Sequence, residues 1–352
     1  MTDPQIQGAE AEARRLRELL GAPVQRPEPL SDADEAILAR ILASPQESPA
    51  TQAPARRGAP TWVRALAVAA AVAGIVVAGV SWQSRSTPAE AGPPPSLQYS
   101  GGTVAEAMAG TLPPAHETLT AIAASAGTQP VVTGSGIQRI RSYAWFLSST
   151  AGEDAVLFPT FGTLEVSPDG SSVNHEVRAP ALGLDGYVID ATTYPHGGAV
   201  ATTRTPEGTF DADRAAELPR DPAQLRTALV TAGGETCTGA EPQCLVHQVV
   251  QLYTTAVVPS DLSQAVWTVL ADESAVQDLG TTRDRVGREG DAVALRGSQA
   301  GDDTVILVID PTTGQLLSWE NVNTAFLTQA FDEPSVISFQ AITSAEWVPA
   351  TS

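Results

Sequence analysis

Lysine is absent from this sequence of 352 residues; all twenty basic residues are arginine. Schiff-base chemistry, a P-loop phosphate site and Ser–Lys catalysis are excluded with it, because each depends on the lysine amine. Histidine is scarce too, with His116, His175, His196 and His247 scattered singly. A lone histidine is far more often a surface or satisfied core residue than a catalytic base. There is no Gly-x-Ser-x-Gly elbow, no His-Glu-x-x-His and no Gly-x-Gly-x-x-Gly following a strand. Asp302, Asp303 and Asp310 frame the stretch DDTVILVID, whose apolar run reads as a strand. Asp211 and Asp213 in FDADRAAE lack the glycine and closing glutamate of a calcium loop. The sequence therefore assigns no catalytic residue, cofactor or metal.

Only two cysteines occur, Cys237 and Cys244, in ETCTGAEPQCLVHQ. Set across a Gly/Pro-containing loop, they read as a disulfide if that part of the chain lies in an oxidising compartment. A metal site with His247 is the alternative, although its fourth ligand is unnamed and the spacing is not that of a zinc ribbon.

What is present decides the compartment. Ala65–Val80 contains no polar side chain, and the stretch from Trp62 to Trp82 spans 21 residues. As a helix it measures about 31 Å, close to the roughly 30 Å of a bilayer's hydrocarbon core. Each tryptophan would sit at a water–lipid boundary, and Arg64 would snorkel to the interface. A buried core helix would need a partner apolar on every side, and no neighbouring segment offers one. A cleaved signal peptide has Ala89-Glu90-Ala91 in its favour, but some sixty residues precede the apolar run. Arg56, Arg57 and Arg64 flank the run on its N-terminal side, against Arg85 alone beyond it. This bias places the N-terminus in the cytoplasm and the C-terminal bulk outside the plasma membrane, with the lipid bilayer as first partner.

Charge agrees with export. The net charge is −20, and beyond Arg85 there are 31 acidic residues against eleven arginines. Such a surface repels phosphate backbones and excludes nucleic acid as a partner.

Four parts follow: a cytoplasmic tail (1–60), a transmembrane helix (62–82), a Pro-rich linker (86–102) and an exported domain (103–352). In the tail, Ser31 caps a helix over 32–43 that places Ile37, Leu38, Ile41 and Leu42 on one face. So short a stripe either stays unstructured or docks on a partner. In the exported domain, Thr103 and Glu106 form a capping box and a helix follows across PAHETLTAIAASAG. The period then changes to two: IQRIRSYAWFLSS reads as a strand, and TLEVSPDGSSVNHEVR as a hairpin about Pro168-Asp169-Gly170. Asp221 caps PAQLRTALV, and helices are expected near 242–257 and 261–272. Strands return in TTRDRV, DAVALRG, DTVILVID, QLLSWEN and SVISFQAITSAEW, with a DPTTG turn joining two of them. The expected fold is α+β, an antiparallel sheet whose two halves close as one curved surface over the central helices.

LPRDPAQLRTALV, VGREGDAVALRG and ILVIDPTTGQLLSWE resemble landmarks of an uncharacterised actinobacterial family. Its members are single-pass membrane proteins with an exported C-terminal domain, often encoded beside extracytoplasmic-function sigma factors. The resemblance implies a half-barrel-like, lipoprotein-carrier-like sheet, similar in strand order to the periplasmic partner of a known anti-sigma factor. It carries over no catalytic residue. Residues 1–60 also lack the His-x-x-x-Cys-x-x-Cys arrangement of zinc-binding anti-sigma domains. Any sigma factor would have to be held by the two amphipathic tail helices alone, AEAEARRLRELLGAP and the one over 32–43.

The leading expectation is a membrane-anchored regulator, anti-sigma-like, whose exported domain binds an envelope lipid, peptide or protein. The alternatives are a carrier-like module with no cytoplasmic role, and an exported enzyme with no constellation behind it.

Overall fold

The computed structural model describes residues 96–148, 156–179, 181–183, 200–237, 241–297, 303–326 and 329–349. The tail with Ile37, Leu38, Ile41 and Leu42, and the span with Trp62, Arg64 and Trp82, lie outside these residues. Among the described residues no helix is long and apolar enough to cross a membrane.

Among the described residues the first elements are two helices, α1 (Val104–Ala109) and α2 (His116–Gly127). Five strands follow: β1 (Ile137–Ser148), β2 (Val156–Val166), β3 (Ser172–Arg178), β4 (Leu182–Gly183) and β5 (Val200–Thr205). The helical middle comprises α3 (Arg214–Glu217), α4 (Pro222–Gly233), a single 3₁₀ turn (Gly234–Cys237), α5 (Glu241–Thr255) and α6 (Ser260–Ala271). Five more strands complete it: β6 (Val276–Arg283), β7 (Glu289–Arg296), β8 (Thr304–Ile309), β9 (Leu316–Phe326) and β10 (Gln329–Val348).

All pairings are antiparallel, in the order β5-β3-β2-β1-β10-β9-β8-β7-β6, with β4 on β2. The strands before the helices and those after them thus form two halves of one curved sheet. They are joined where β1 pairs with β10, Trp145 opposite Phe339. This α+β arrangement is the one that the strand–helix–strand sequence order implies.

Local chemistry sets the element ends. Thr103 and Glu106 form the expected reciprocal box, and Asp221 accepts the Gln224 amide at 3.0 Å with Pro222 in the first turn of α4. One boundary differs from the sequence expectation. β6 begins at Val276, and part of the anticipated strand 281–286 is instead a turn. Asp284 causes it: its Oδ1 accepts the amides of Val286 (3.1 Å) and Arg288 (2.8 Å), and its Oδ2 accepts Arg288 Nε. A buried aspartate that satisfies local amides is a turn former, and it outcompetes strand propensity here.

Helices α2, α4, α5 and α6 pack on one face of the later strands. Leu119, Leu245, Leu262 and Trp267 meet Val293, Leu307 and Leu316 in a filled core. Gly314, in the DPTTG turn, sits at φ 69°, and a Cβ there would come within 2.7 Å of Ala126. The bare backbone lets Gly314 O accept both Trp267 Nε1 (2.6 Å) and Tyr253 Oη (3.1 Å), tying the turn into the helix layer.

Cys237 and Cys244 are bonded, with Cα atoms 5.0 Å apart, and join the 3₁₀ turn to the first turn of α5. Closing an eight-residue loop contributes about 2.5 kcal/mol in the chain-entropy model. Reduction is therefore expected to lower the unfolding free energy of the domain by about that amount. Denaturant titration with and without reductant measures it, and a doubly Cys→Ser chain should be indifferent to reductant.

Candidate binding groove

Among the described residues, the helices pack on the later half of the sheet and on Ile140 of β1, and no described helix lies over the rest of the same face of β1, β2, β3 and β5. A groove of about 330 Å³ lies there. Strand alternation builds its floor: Ser142, Ala144 and Phe146 from β1 stand beside Thr160, Gly162 and Leu164 from β2. Asn174 and Glu176 of β3 and Thr203 and Thr205 of β5 continue it, while Phe210 and Thr254 stand at its rim. Phe146 is 46% exposed, unusual for so large an apolar ring in the middle of a sheet.

The β2–β3 turn holds one end in place. Asp169 accepts the Ser171 amide (2.9 Å) and hydroxyl (2.7 Å), and these bonds hold its carboxyl below the usual range. Asp169 O and Gly170 O then accept the amides of Gly208 and Phe210, each at 2.9 Å, which sets Phe210 at the groove. Gln138, 2% exposed, pins the helix side: its amide reaches Val257 N and Ala212 O, both at 2.8 Å.

Within the groove, the Ser172 and Thr205 hydroxyls share a 2.7 Å hydrogen bond. Asn174 donates to Glu176 at 3.0 Å, and Arg178 pairs with the same carboxylate at 3.4 Å. Nine of the fifteen lining residues carry a hydroxyl, amide or carboxylate, so the floor is chemically mixed.

Two of the carboxylates singled out in the sequence have structural duties. Asp303 accepts from both Asn321 and Asn323, and Asp310 caps its turn through the amides of Thr312 and Thr313. His116 contacts Ala271 O at 2.9 Å, His175 meets Thr202, and His247 is exposed on α5. His196 and Asp302 lie outside the described residues. Because the two sulfurs are joined, the Cys–Cys–His metal alternative has no thiolates to use. Among the described residues no group of three or more His, Cys, Asp or Glu is placed to hold a metal.

No protein-family model and no curated protein matches this chain. Among solved structures it is similar to MucB in the MucA/MucB complex of Pseudomonas aeruginosa, at 12% identity and a TM-score of 0.28. MucB bound to MucA(peri) matches at 12% and 0.26, and MucB alone at 11% and 0.27. Each match covers 68% of this chain, which in turn spans 57–60% of those chains. At such scores the function has to be sought in the groove itself.

Sequence patterns did not single out the groove. Ser142-x-Ala144-x-Phe146 is an ordinary alternating strand, and only the placement of the helices decides which face stays open. A buried charge on the opposite face, Glu320, was missed as well. Its one signal was an acid inside the strand QLLSWEN.

Proposed function

We propose that this chain is a membrane-anchored regulator whose exported domain holds a polypeptide segment of an envelope partner in the groove. The observation that carries this is the mixed lining of an open groove beside an already filled core. An acyl chain there would leave polar groups such as Ser142, Thr203 and Gln340 facing hydrocarbon, at about 1–3 kcal/mol for each left without a partner. A polypeptide offers donors, acceptors and an apolar side chain for Phe146 at once. This disfavours the lipid-carrier alternative. The span 62–82 would tether the domain outside the cell. The stripe Ile37, Leu38, Ile41 and Leu42 would hold a cytoplasmic regulator, in the manner of an anti-sigma factor, by burying side chains worth about 1.5–3 kcal/mol each.

Phe146→Asp with Thr203→Arg alters two exposed lining residues and should leave folding intact. In cells this pair should abolish the response to envelope signals, and Ile37→Asp with Ile41→Asp should release the cytoplasmic partner while export persists. Transcription from a reporter driven by the cytoplasmic partner measures both. A wild-type response from the groove pair would overturn the assignment of the groove.

A further inference from the structure

The sheet's edge at β6 is covered by the domain's own entry segment. Ser100 N and Gly101 N donate to Thr281 O (3.0 Å) and Leu279 O (2.8 Å). Thr282 Oγ1 donates to Gln98 O at 2.6 Å, and Thr281 N to Ser100 Oγ at 2.8 Å. Backbones come this close because Gly101 faces Gly280: a Cβ on Gly101 would lie 2.9 Å from the Leu279 carbonyl. Beyond Gly102 the chain is fixed firmly, since buried Gln277 donates to Ala107 O and accepts the Leu112 amide. The strap is thus Gln98–Gly101, with a Gly101–Gly102 hinge at its end.

One side chain anchors it. The Tyr99 hydroxyl is buried, and the charges of Glu320 and Arg285 both act on it. Arg285 donates to Glu320 at 2.6 Å, with its guanidinium 5.4 Å from the Trp145 ring and 5.6 Å from that of Phe339. Yet the Tyr99 hydroxyl and Glu320 Oε2 are both buried without a hydrogen-bond partner. The ring and the strap hydrogen bonds favour seating, and the two orphaned polar atoms oppose it.

The geometry points to a releasable strap, with Tyr99 as its catch, that unseats from β6 while the rest of the domain stays folded. Release frees four residues at the end of the 86–102 linker, about 13 Å at ~3.3 Å each, and bares the β6 edge for pairing. The domain therefore has two tether lengths and one concealed edge.

Hydrogen exchange on the full chain in lipid nanodiscs tests this. In Tyr99→Ala, the amides of Ser100, Gly101 and Thr281 should exchange at least about tenfold faster, while those of Ala107 and α6 hold their rates. Tyr99→Phe keeps the ring and removes the orphaned hydroxyl, so its strap should exchange no faster than wild type. The strap would be an inseparable part of the core if Tyr99→Ala sped α1 and α6 equally. No acceleration in Tyr99→Ala, or a Tyr99→Phe as fast as Tyr99→Ala, would equally overturn the catch.

Discussion

Trp267→Ala should destabilise the folded domain by about 3–5 kcal/mol, the cost of emptying a large, fully enclosed site. Trp267 has no exposed surface, packs at 5.7 Å from the Tyr253 ring and donates to Gly314 O. The truncation removes that bond along with the packing, and it loosens the turn that ties β8 and β9 to the helices. Thermal unfolding should shift downward by on the order of 10 °C. Trp267→Phe, which keeps most of the volume and loses only the indole donor, should cost much less. Equal losses from the two would mean that the hydrogen bond, not the volume, carries the site.

Arg285→Met should be of comparable size, again about 3–5 kcal/mol, because it leaves the Glu320 carboxylate buried and unpaired. Glu320 is wholly buried, and burial pushes its carboxyl above the ordinary 4.5 while Arg285 pulls the other way. Adding Glu320→Gln to Arg285→Met should restore most of the loss, since no charge is then stranded. The raised value also fixes a pH dependence. Folding favours protonated Glu320; that contribution is complete below 4.5 and is lost as pH rises through the folded value. Wild type should therefore lose stability relative to Glu320→Gln as pH climbs from 4.5. Denaturant titrations at several pH values measure this, and a gap that widens in the opposite direction would contradict it.

The sequence made the framework legible where chemistry is local. The Thr103–Glu106 box, the Asp221–Pro222 start, the Pro168–Gly170 hairpin and the Gly314 turn each depend on a few adjacent residues, and each stands where expected. The strand–helix–strand order also conveyed that two halves of one sheet meet. What stayed hidden depends on distant partners. Nothing near Tyr99 indicates that it seats beside Glu320, more than two hundred residues later. Likewise, nothing in β1 says that α5 and α6 stop short of Phe146. Asp284 shows the opposite limit, a single side chain that turned a strand-like stretch into a loop.

The groove itself can be interrogated by photocrosslinking in living cells. A benzoylphenylalanine placed at position 146 of the full chain should give a discrete adduct with a cell-envelope protein, and Thr203→Arg should remove it. The same probe at position 132, where Val132 is 64% exposed in the segment before β1 and is not part of the groove lining, should give none. Equal adducts from both positions, or an adduct at 146 that Thr203→Arg leaves unchanged, would contradict a partner-binding groove.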